Sequence, residues 1–248
     1  MSTITILGDG ALGGAIAAQL RARRDVVSMH GRPAMGRHDL GALAGSDVVV
    51  DASCGDAVAG NVATAVAAGC RRLVIATTGW DGDRARVERA ISRTGAMAVV
   101  APNLALGAAI FLRLVDEAAR LAAAIDGFEP SVVEWHRRTK ADRPSGTARE
   151  IVRRLGASLP IAVDEVAVVR SGSMPGMHAV ALDGPSETIE LRLTARDRSG
   201  YAAGALAAID WLLGGPRRTG LIPFDDVVDD LIAARQRTAS ESPAQPAA

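Results

Sequence analysis

Short apolar runs and helical stretches alternate over the first part of the chain. Residues 3–7 are a β-branched run, and residues 15–23 and 56–68 have helical periodicity. Further short apolar runs lie at 26–29, 48–51, 73–76 and 96–100. Because short apolar runs separated by helical stretches are typical of βαβ units, the pattern predicts a parallel sheet that is covered by helices on both faces.

The pattern changes from residue 105 onwards. A long helical stretch, 107–124, leads into an apolar run at 131–135, and a second apolar-periodic stretch follows at 148–155. Strand-like runs then lie close together, at 163–170, 178–182 and 188–195. Strand-like runs without helices between them indicate a mixed or antiparallel sheet, and therefore a second domain. Two helical stretches, 202–213 and 224–235, end the patterned part.

We therefore predict an α/β protein with an N-terminal Rossmann-like parallel sheet and a second α+β domain that contains a mixed sheet. The first domain spans 1–104, and residues 213–236 pack back on it, while the second domain spans 105–212. Residues 237–248 are rich in Ala, Ser, Pro and Gln, and this composition predicts a disordered tail.

The composition excludes several classes of function. Lys plus Arg and Asp plus Glu both number 28, so no net charge attracts nucleic acid, and the aromatic residues that would stack on bases are only 3% of the chain. The sequence has neither a signal-peptide pattern nor an apolar stretch of membrane-spanning length. The two cysteines, Cys54 and Cys70, leave a disulfide open, but a reduced cytoplasmic protein without a metal site is the simpler interpretation.

A glycine-rich turn joins the first strand to the first helix. It reads Gly8-Asp9-Gly10-Ala11-Leu12-Gly13, with glycines at the first, third and sixth positions. Glycines in this pattern permit a tight turn and the close approach of a pyrophosphate, which the N-terminus of the helix then stabilises. All six residues are therefore predicted to bind a dinucleotide cofactor.

The end of the second strand indicates which dinucleotide is bound. An Asp or Glu is expected there in an enzyme that prefers NAD, but the chain reads His30-Gly31-Arg32. Arg32 is either an ordinary loop residue or a ligand for the 2′-phosphate of NADPH. No carboxylate in His30-Gly31-Arg32 would repel that phosphate. The sequence therefore favours NADPH as the cofactor and leaves NADH possible.

Two further turns follow strand ends, where ligands bind in doubly wound sheets. One turn contains Ala76-Thr77-Thr78, and the other is Ala101-Pro102-Asn103-Leu104. Both turns are predicted to line the cofactor site.

One segment of the second domain combines two side chains that can transfer protons with a site for an anion. Lys140 is the single Lys among 28 Lys plus Arg residues, and His136, one of four histidines, precedes it by four positions. Unlike Arg, these two side chains can give up a proton near neutral pH after modest tuning. Ser145-Gly146-Thr147 then open a helical stretch, with Thr147 and Glu150 spaced as a capping box. The start of this helix is predicted to bind a carboxylate or phosphate.

This segment, Glu134-Trp-His-Arg-Arg-Thr-Lys-Ala-Asp-Arg-Pro-Ser-Gly-Thr147, resembles the E-x-H-H-x-x-K-x-D-x-P-S-G-T signature of the dihydrodipicolinate reductase family. The resemblance runs over nearly the whole chain. Its other matching pieces are Thr77-Thr78-Gly79, Ala101-Pro102-Asn103, Arg170-x-Gly172, Gly176-x-His178, Glu187-Thr-Ile-Glu190 and Tyr201-Ala-x-Gly204-Ala.

The resemblance implies a nucleotide-binding domain coupled to a substrate domain. It also implies that four chains assemble into a homotetramer through the sheet of the substrate domain. The implied activity is NAD(P)H-dependent reduction of a small dicarboxylate, the cyclic imine 4-hydroxy-tetrahydrodipicolinate, to tetrahydrodipicolinate in the diaminopimelate route to lysine. By the same resemblance, His136 would donate or accept a proton and Lys140 would be a second proton donor. The remaining implied roles are a substrate carboxylate held by Ser145, Gly146 and Thr147, and a nicotinamide lined by Thr77, Thr78, Ala101 and Asn103.

Several residues depart from the family pattern. Arg137 replaces the second His of the signature, at a place where the family contacts substrate, and Arg can bind a carboxylate bidentately. The family has an Arg in the glycine turn, but here Ala11 and Leu12 occupy that stretch. Ala76 stands where the family usually has a Gly. A reductase of another cyclic imine acid in a secondary pathway is therefore a second interpretation. A catalytically silent nucleotide-binding regulator is a third, against which the retention of both His136 and Lys140 argues.

Overall fold

The structure is a computed structural model that describes residues 1–31, 40–215 and 218–241. Its internal contacts divide the chain into two compact units, Met1–Leu104 with Tyr201–Ala248, and Ala105–Gly200. The chain returns to the first unit at Tyr201, earlier than the expected residue 213, because the helical stretch after Tyr201 packs against residues of the first unit. Arg32 lies outside the described residues, so the structure places no side chain for the expected 2′-phosphate contact.

The regular elements are numbered in chain order. The α-helices are α1 (Ala11–Ala22), α2 (Leu40–Leu43), α3 (Gly55–Ala67), α4 (Arg84–Thr94), α5 (Leu106–Ala123), α6 (Gly146–Leu155), α7 (Ser199–Leu213) and α8 (Phe224–Glu241). The β-strands are β1 (Thr3–Leu7), β2 (Val26–His30), β3 (Val48–Asp51), β4 (Arg72–Ile75), β5 (Met97–Val100), β6 (Glu129–His136), β7 (Ala167–Arg170), β8 (Met177–Asp183), β9 (Thr188–Thr194) and β10 (Gly220–Pro223).

Six parallel strands form the sheet of the first unit, in the order β10-β5-β4-β3-β1-β2. Strand β3 is buried along its whole length, as expected for a central strand with helices on both faces. Val49 and Leu73 of the sheet pack with Val62 of α3 and Ile91 of α4 in one core cluster. The predicted Rossmann-like parallel sheet is confirmed.

Four strands form the mixed sheet of the second unit, in the order β7-β6-β8-β9. Strand β6 pairs parallel with β7 and antiparallel with β8, and β8 pairs antiparallel with β9. Helices α5 and α6 cover one face, where Phe111 and Ile151 pack with Val132 and Val180. The predicted second α+β region is confirmed.

Several element predictions were wrong or incomplete. Helix α4 was missed because its sequence is mostly polar and buries only Val87 and Ile91. Strand β10 was missed because its sequence, Gly-Leu-Ile-Pro, has only two apolar residues between a glycine and a proline, and it becomes a strand by pairing with β5. In the run 163–170, residues 163–165 form a 3₁₀ turn and only 167–170 are a strand.

The chain end also differs from the prediction. Helix α8 continues to Glu241, so the first residues of the expected tail, 237–241, are helical. The remaining residues, 242–248, lie outside the described residues. Cys54 and Cys70 form no disulfide with each other; Cys54 is exposed and Cys70 is buried. Within the described ranges, each helix is too short or too polar for a membrane span.

Helix α7 approaches the end of the first unit's N-terminal segment very closely. A Cβ on Gly204 would lie 1.6 Å from the carbonyl oxygen of Leu104, so only glycine allows this approach. Because the obstructing atom belongs to the backbone, it cannot move aside as a flexible side chain can.

We therefore expect Gly204→Ala to lower the free energy of unfolding by about 2 kcal/mol or more, through overpacking against the backbone. Gly60→Ala is the matched control, because Gly60 is also helical and an added Cβ there has no neighbour within 4 Å. The control is expected to be stabilised by about 0.5–1 kcal/mol, since Ala is the better helix former. Urea unfolding of both variants measures the difference, and equal stabilities would contradict the close approach.

Candidate active site

Strand register brings four ionisable side chains of the second unit to one face of the mixed sheet. Glu134 and His136 are two residues apart on β6 and therefore point to the same face. Glu134 pairs with His178 of β8, and His136 pairs with Arg170 of β7. In the sequence, Arg170 and His178 stand out only as parts of matching family motifs.

The Glu134 carboxylate is fully buried, and one of its two oxygens accepts two hydrogen bonds. Its Oε1 accepts hydrogen bonds from Arg170 Nη2 at 2.5 Å and from the backbone N–H of Ser145 at 3.0 Å. The side chains of Glu134 and Arg170 are both 0% exposed. Burial alone would raise the pKa of this carboxyl group, but His178, Ser145 and Arg170 outweigh burial and hold the pKa well below its usual range. Glu134 is therefore a fixed negative charge.

His136 lies beside this carboxylate. Its Nδ1 is 3.4 Å from Glu134 Oε2, and its ring stands edge-on to that of His178, with 5.1 Å between the centroids. Burial and repulsion from His178 lower the pKa of His136 to about 4, although the charge of Glu134 acts in the opposite direction. The imidazole is therefore neutral at pH 7 in the ligand-free protein.

Ser145 connects the cluster to the start of α6. Its Oγ accepts a hydrogen bond from the N–H of Ala148 at 3.2 Å and lies 3.1 Å from Nε2 of His178. Ser145 is thus the N-cap, and the predicted capping box of Thr147 and Glu150 is wrong. Because the helix begins at Gly146, two residues earlier than that box requires, Glu150 instead pairs with Arg153 and Arg154.

The remaining side chains predicted in this segment are more exposed. Lys140 Nζ lies 2.7 Å from Asp142 Oδ1, and the Lys140 side chain is 30% exposed. Burial would raise the pKa of Asp142, but Lys140 and the backbone N–H groups of Asp142 and Gly146 outweigh burial and lower it. A carboxylate is therefore already stabilised by Lys140 and by the start of α6. Arg137 is exposed, and a Cβ added to Gly146 would have no neighbour within 4 Å.

Glu134, His136 and His178 also have the donor types of a metal site. One ligand atom from each lies within 4.8 Å of the other two. However, Arg170 and Ser145 already pair with Glu134, and the positive charge of Arg170 opposes a cation there. We interpret the cluster as a hydrogen-bonded network rather than a metal centre.

The glycine turn of the first unit fits a dinucleotide. An added Cβ on Gly8 would lie 2.3 Å from the carbonyl oxygen of Ala52, and one on Gly13 would lie 2.1 Å from that of Gly8. These two glycines therefore permit the tight turn and the close helix packing, whereas Gly10 is exposed with nothing within 4 Å of such an atom. Ala11 and Leu12 form the first turn of α1, which has no side-chain cap and no acidic residue. Its N–H groups can donate hydrogen bonds to a pyrophosphate.

A buried carboxylate orders the turn after β4. Asp51, at the end of β3, accepts hydrogen bonds from Thr77 Oγ1 at 2.5 Å and from Asn61 Nδ2 at 2.7 Å, and it also pairs with Ser53. Gly79 packs so closely on the start of α3 that a Cβ on Gly55 would lie 2.3 Å from the carbonyl oxygen of Gly79. Asp51 and Asn61 were not predicted as site residues, because a single Asp in an apolar run gives no signal of its partners.

The other predicted cofactor residues lie at the same edge of the sheet. The turn of Ala76, Thr77 and Thr78 follows β4, and the turn from Ala101 to Asn103 follows β5, its parallel neighbour. Thr78 and Pro102 are exposed, whereas Leu104 is buried and contributes to packing. Asp9 is exposed on the glycine turn.

Comparison with known proteins gives consistent matches. Residues 4–104 match the family described as dihydrodipicolinate reductase, N-terminus, and residues 107–228 match dihydrodipicolinate reductase, C-terminus. The 4-hydroxy-tetrahydrodipicolinate reductase of Methanosarcina mazei is 33% identical over 199 residues, covering 74% of this chain and 73% of that protein. The 4-hydroxy-tetrahydrodipicolinate reductase of Methanopyrus kandleri is 34% identical over 200 residues, covering 74% of this chain and 71% of that protein.

Solved structures share the fold. A dipicolinate-bound dihydrodipicolinate reductase from Paenisporosarcina sp. TG-14 aligns with a TM-score of 0.72 at 19% identity, covering 90% of this chain and 97% of that one. A probable dehydrogenase from Thermotoga maritima aligns with a TM-score of 0.61 at 9% identity, covering 96% and 97%.

The depressed pKa of His136 predicts a pH-dependent stability. Below pH 6.5 the unfolded chain protonates this imidazole, but the folded chain does so only near pH 4, so stability falls as the pH drops through this window. Between pH 7 and pH 5 we expect His136 to account for a loss of about 1–2 kcal/mol, allowing for solvent screening. In His136→Gln this part of the loss should disappear. Urea unfolding at both pH values measures it, and an unchanged loss in the variant would contradict the buried, neutral imidazole.

Proposed function

This chain belongs to the dihydrodipicolinate reductase family, and from that membership we propose that it reduces 4-hydroxy-tetrahydrodipicolinate to tetrahydrodipicolinate with NAD(P)H. The product is an intermediate of the diaminopimelate route to lysine. The substrate is a cyclic imine with two carboxylates. Its reduction requires a hydride, which the nicotinamide supplies, and a proton, which the protein supplies.

The observation that carries this proposal is the carboxylate already held at the start of α6. Asp142 is stabilised there by Lys140 and by the backbone N–H of Gly146, which are groups that a substrate carboxylate also needs. We propose that Ser145, Gly146 and Thr147 hold one substrate carboxylate with backbone N–H and hydroxyl groups. Arg137 or Lys140 then neutralises the second carboxylate.

Proton transfer falls to His136 and Lys140 in this proposal. His136 is neutral at pH 7 because burial and His178 disfavour its charge. A bound dianion adds negative charge next to the ring and therefore raises its pKa, so that the ring gains a proton as substrate binds. Lys140 is a second donor that lies at the exposed side of the same segment. Glu134 does not transfer a proton, because its ion pair with Arg170 keeps it charged.

A homotetramer is also proposed, as the family resemblance implies. The feature that supports it is the second face of the mixed sheet, opposite α5 and α6, where β6 presents Val133 and Trp135 and β8 presents Ala179 and Ala181. These four residues are only half-buried in the single chain.

A second candidate function is the reduction of a different cyclic imine acid. The observation that favours it is Arg137, which is exposed at the position of the second His of the family signature. A guanidinium there changes the donors offered to the substrate without altering the buried cluster.

The proposed activity is tested by adding NADH or NADPH and the fresh condensation product of pyruvate and aspartate semialdehyde to the purified protein. We expect rapid loss of absorbance at the nicotinamide wavelength that requires this imine. A cyclic imine with a single carboxylate should be reduced with a kcat/KM about ten- to a hundredfold lower, because one charged contact is lost. Faster reduction of the monocarboxylate would favour the second candidate, and cofactor binding without reduction of either imine would favour a regulator.

Replacement of Lys140 by Arg separates proton donation from charge. The guanidinium preserves the ion pair with Asp142 but cannot release a proton, so we expect kcat to fall by about a hundredfold or more while the stability is unchanged. Arg153→Lys, the reverse exchange on the exposed face of α6, is the control and should keep full activity. Activity of Lys140→Arg within threefold of the parent would remove the proposed role of Lys140.

A further inference from the structure

The glycine turn places a carboxylate at the end of β2. An ideal Cβ on Gly31 would lie 2.6 Å from Asp9 Oδ2 and 3.5 Å from Asp9 Oδ1. The Asp9 carboxylate therefore lies directly against the backbone of Gly31, the residue that follows the last residue of β2. It occupies the space that a side chain at position 31 would otherwise fill.

Two features of the backbone create this arrangement. Gly8 adopts φ of +120°, and its N–H donates a hydrogen bond to the carbonyl oxygen of His30 at 2.8 Å. This bond holds the start of the glycine turn beside the end of β2, and Asp9 is the next residue. Because Gly31 has no side chain, the Asp9 carboxylate can approach its backbone closely.

The Asp9 carboxylate is available to a ligand. Its residue is exposed, and among the described parts of the chain no hydrogen bond or ion pair engages its side chain. The other carboxylates discussed above, Asp51, Glu134 and Asp142, are all paired.

In dinucleotide-binding folds, the residue at the end of the second strand helps to select the cofactor. The end of the second strand lies next to the adenosine ribose, where a carboxylate accepts a hydrogen bond from the 2′-hydroxyl of NADH. The same carboxylate repels the 2′-phosphate of NADPH. In the sequence, His30-Gly31-Arg32 lacks this acidic residue, and that absence is the basis for expecting NADPH. The tertiary structure supplies a carboxylate from a residue 22 positions earlier in the chain, Asp9 against Gly31.

We infer that Asp9 is the selectivity determinant of the adenosine site and that it makes the protein prefer NADH over NADPH. This inference rests on the proposed function only in requiring a nicotinamide dinucleotide as cofactor. It reverses the preference expected from the sequence, because the glycine turn places the negative charge of Asp9 beside Gly31, where the sequence His30-Gly31-Arg32 offers no Asp or Glu.

The test is a pair of binding measurements that do not depend on turnover. Dissociation constants for NADH and NADPH are measured by isothermal titration calorimetry for the parent protein and for Asp9→Asn, which removes the charge at constant size. We expect the parent to bind NADH more tightly, and the variant to shift the ratio of the two constants by about tenfold toward NADPH. Asp126→Asn, which removes an equal charge at an exposed position of the second unit, is the control and should leave the ratio unchanged.

A second variant tests the geometry. Gly31→Ala introduces a Cβ that must displace the Asp9 carboxylate, so it should shift the ratio in the parent but have little further effect in Asp9→Asn. Tighter binding of NADPH by the parent, or an equal ratio in parent and Asp9→Asn, would overturn the inference and leave the proposed function in place. Failure to bind either dinucleotide would instead overturn the proposed function.

Discussion

The buried pair of Glu134 and Arg170 is the interaction on which the second unit depends. Each charge would cost several kcal/mol to bury alone, and the loss is offset only when both ions are paired and hydrogen-bonded in good geometry. Glu134 meets this condition on its Oε1, which pairs with Arg170 of β7 and with the N-cap of α6, while its Oε2 lies 3.6 Å from Nε2 of His178 on β8. A single carboxylate therefore joins three strands and a helix start. His136, two residues away on the same face, takes its position from this arrangement.

The first unit orders its loops in the same way. Asp51 ends a fully buried strand and accepts hydrogen bonds from Ser53, Asn61 and Thr77, which belong to two turns and a helix. In both units a buried carboxylate at or near the end of a strand hydrogen-bonds to groups of loops that contain residues proposed to bind a ligand. Loops fixed before binding lose less conformational entropy when the ligand arrives, so a cofactor or substrate meets groups that are already in place.

The two residues to which we attribute substrate and cofactor preference are exposed. Glu134, Ser145 and His178 are buried and linked to one another, so that replacing one of them leaves a buried polar partner unsatisfied. Arg137 and Asp9 are exposed, and exchanging them leaves no such buried group. Substrate and cofactor preference can therefore change at the exposed positions while the buried network, and with it the fold, is retained.

The sequence by itself determined the class of fold and the family, and it singled out most of the residues to which we assign chemistry in the proposed function. Apolar runs and glycines report local conformation, and for this reason β1, β3, α3 and the glycine turn were predicted close to their observed bounds. Elements with a weak local signal were not predicted, such as the polar helix α4 and the strand β10, in which a glycine and a proline flank only two apolar residues. Only the tertiary structure decided which side chains meet. His178 reaches Glu134 through the antiparallel register of β6 and β8, and Asp9 reaches Gly31 because the glycine turn passes beside β2. Both contacts join residues far apart in the chain, and a linear pattern contains no information on distances that arise from strand pairing.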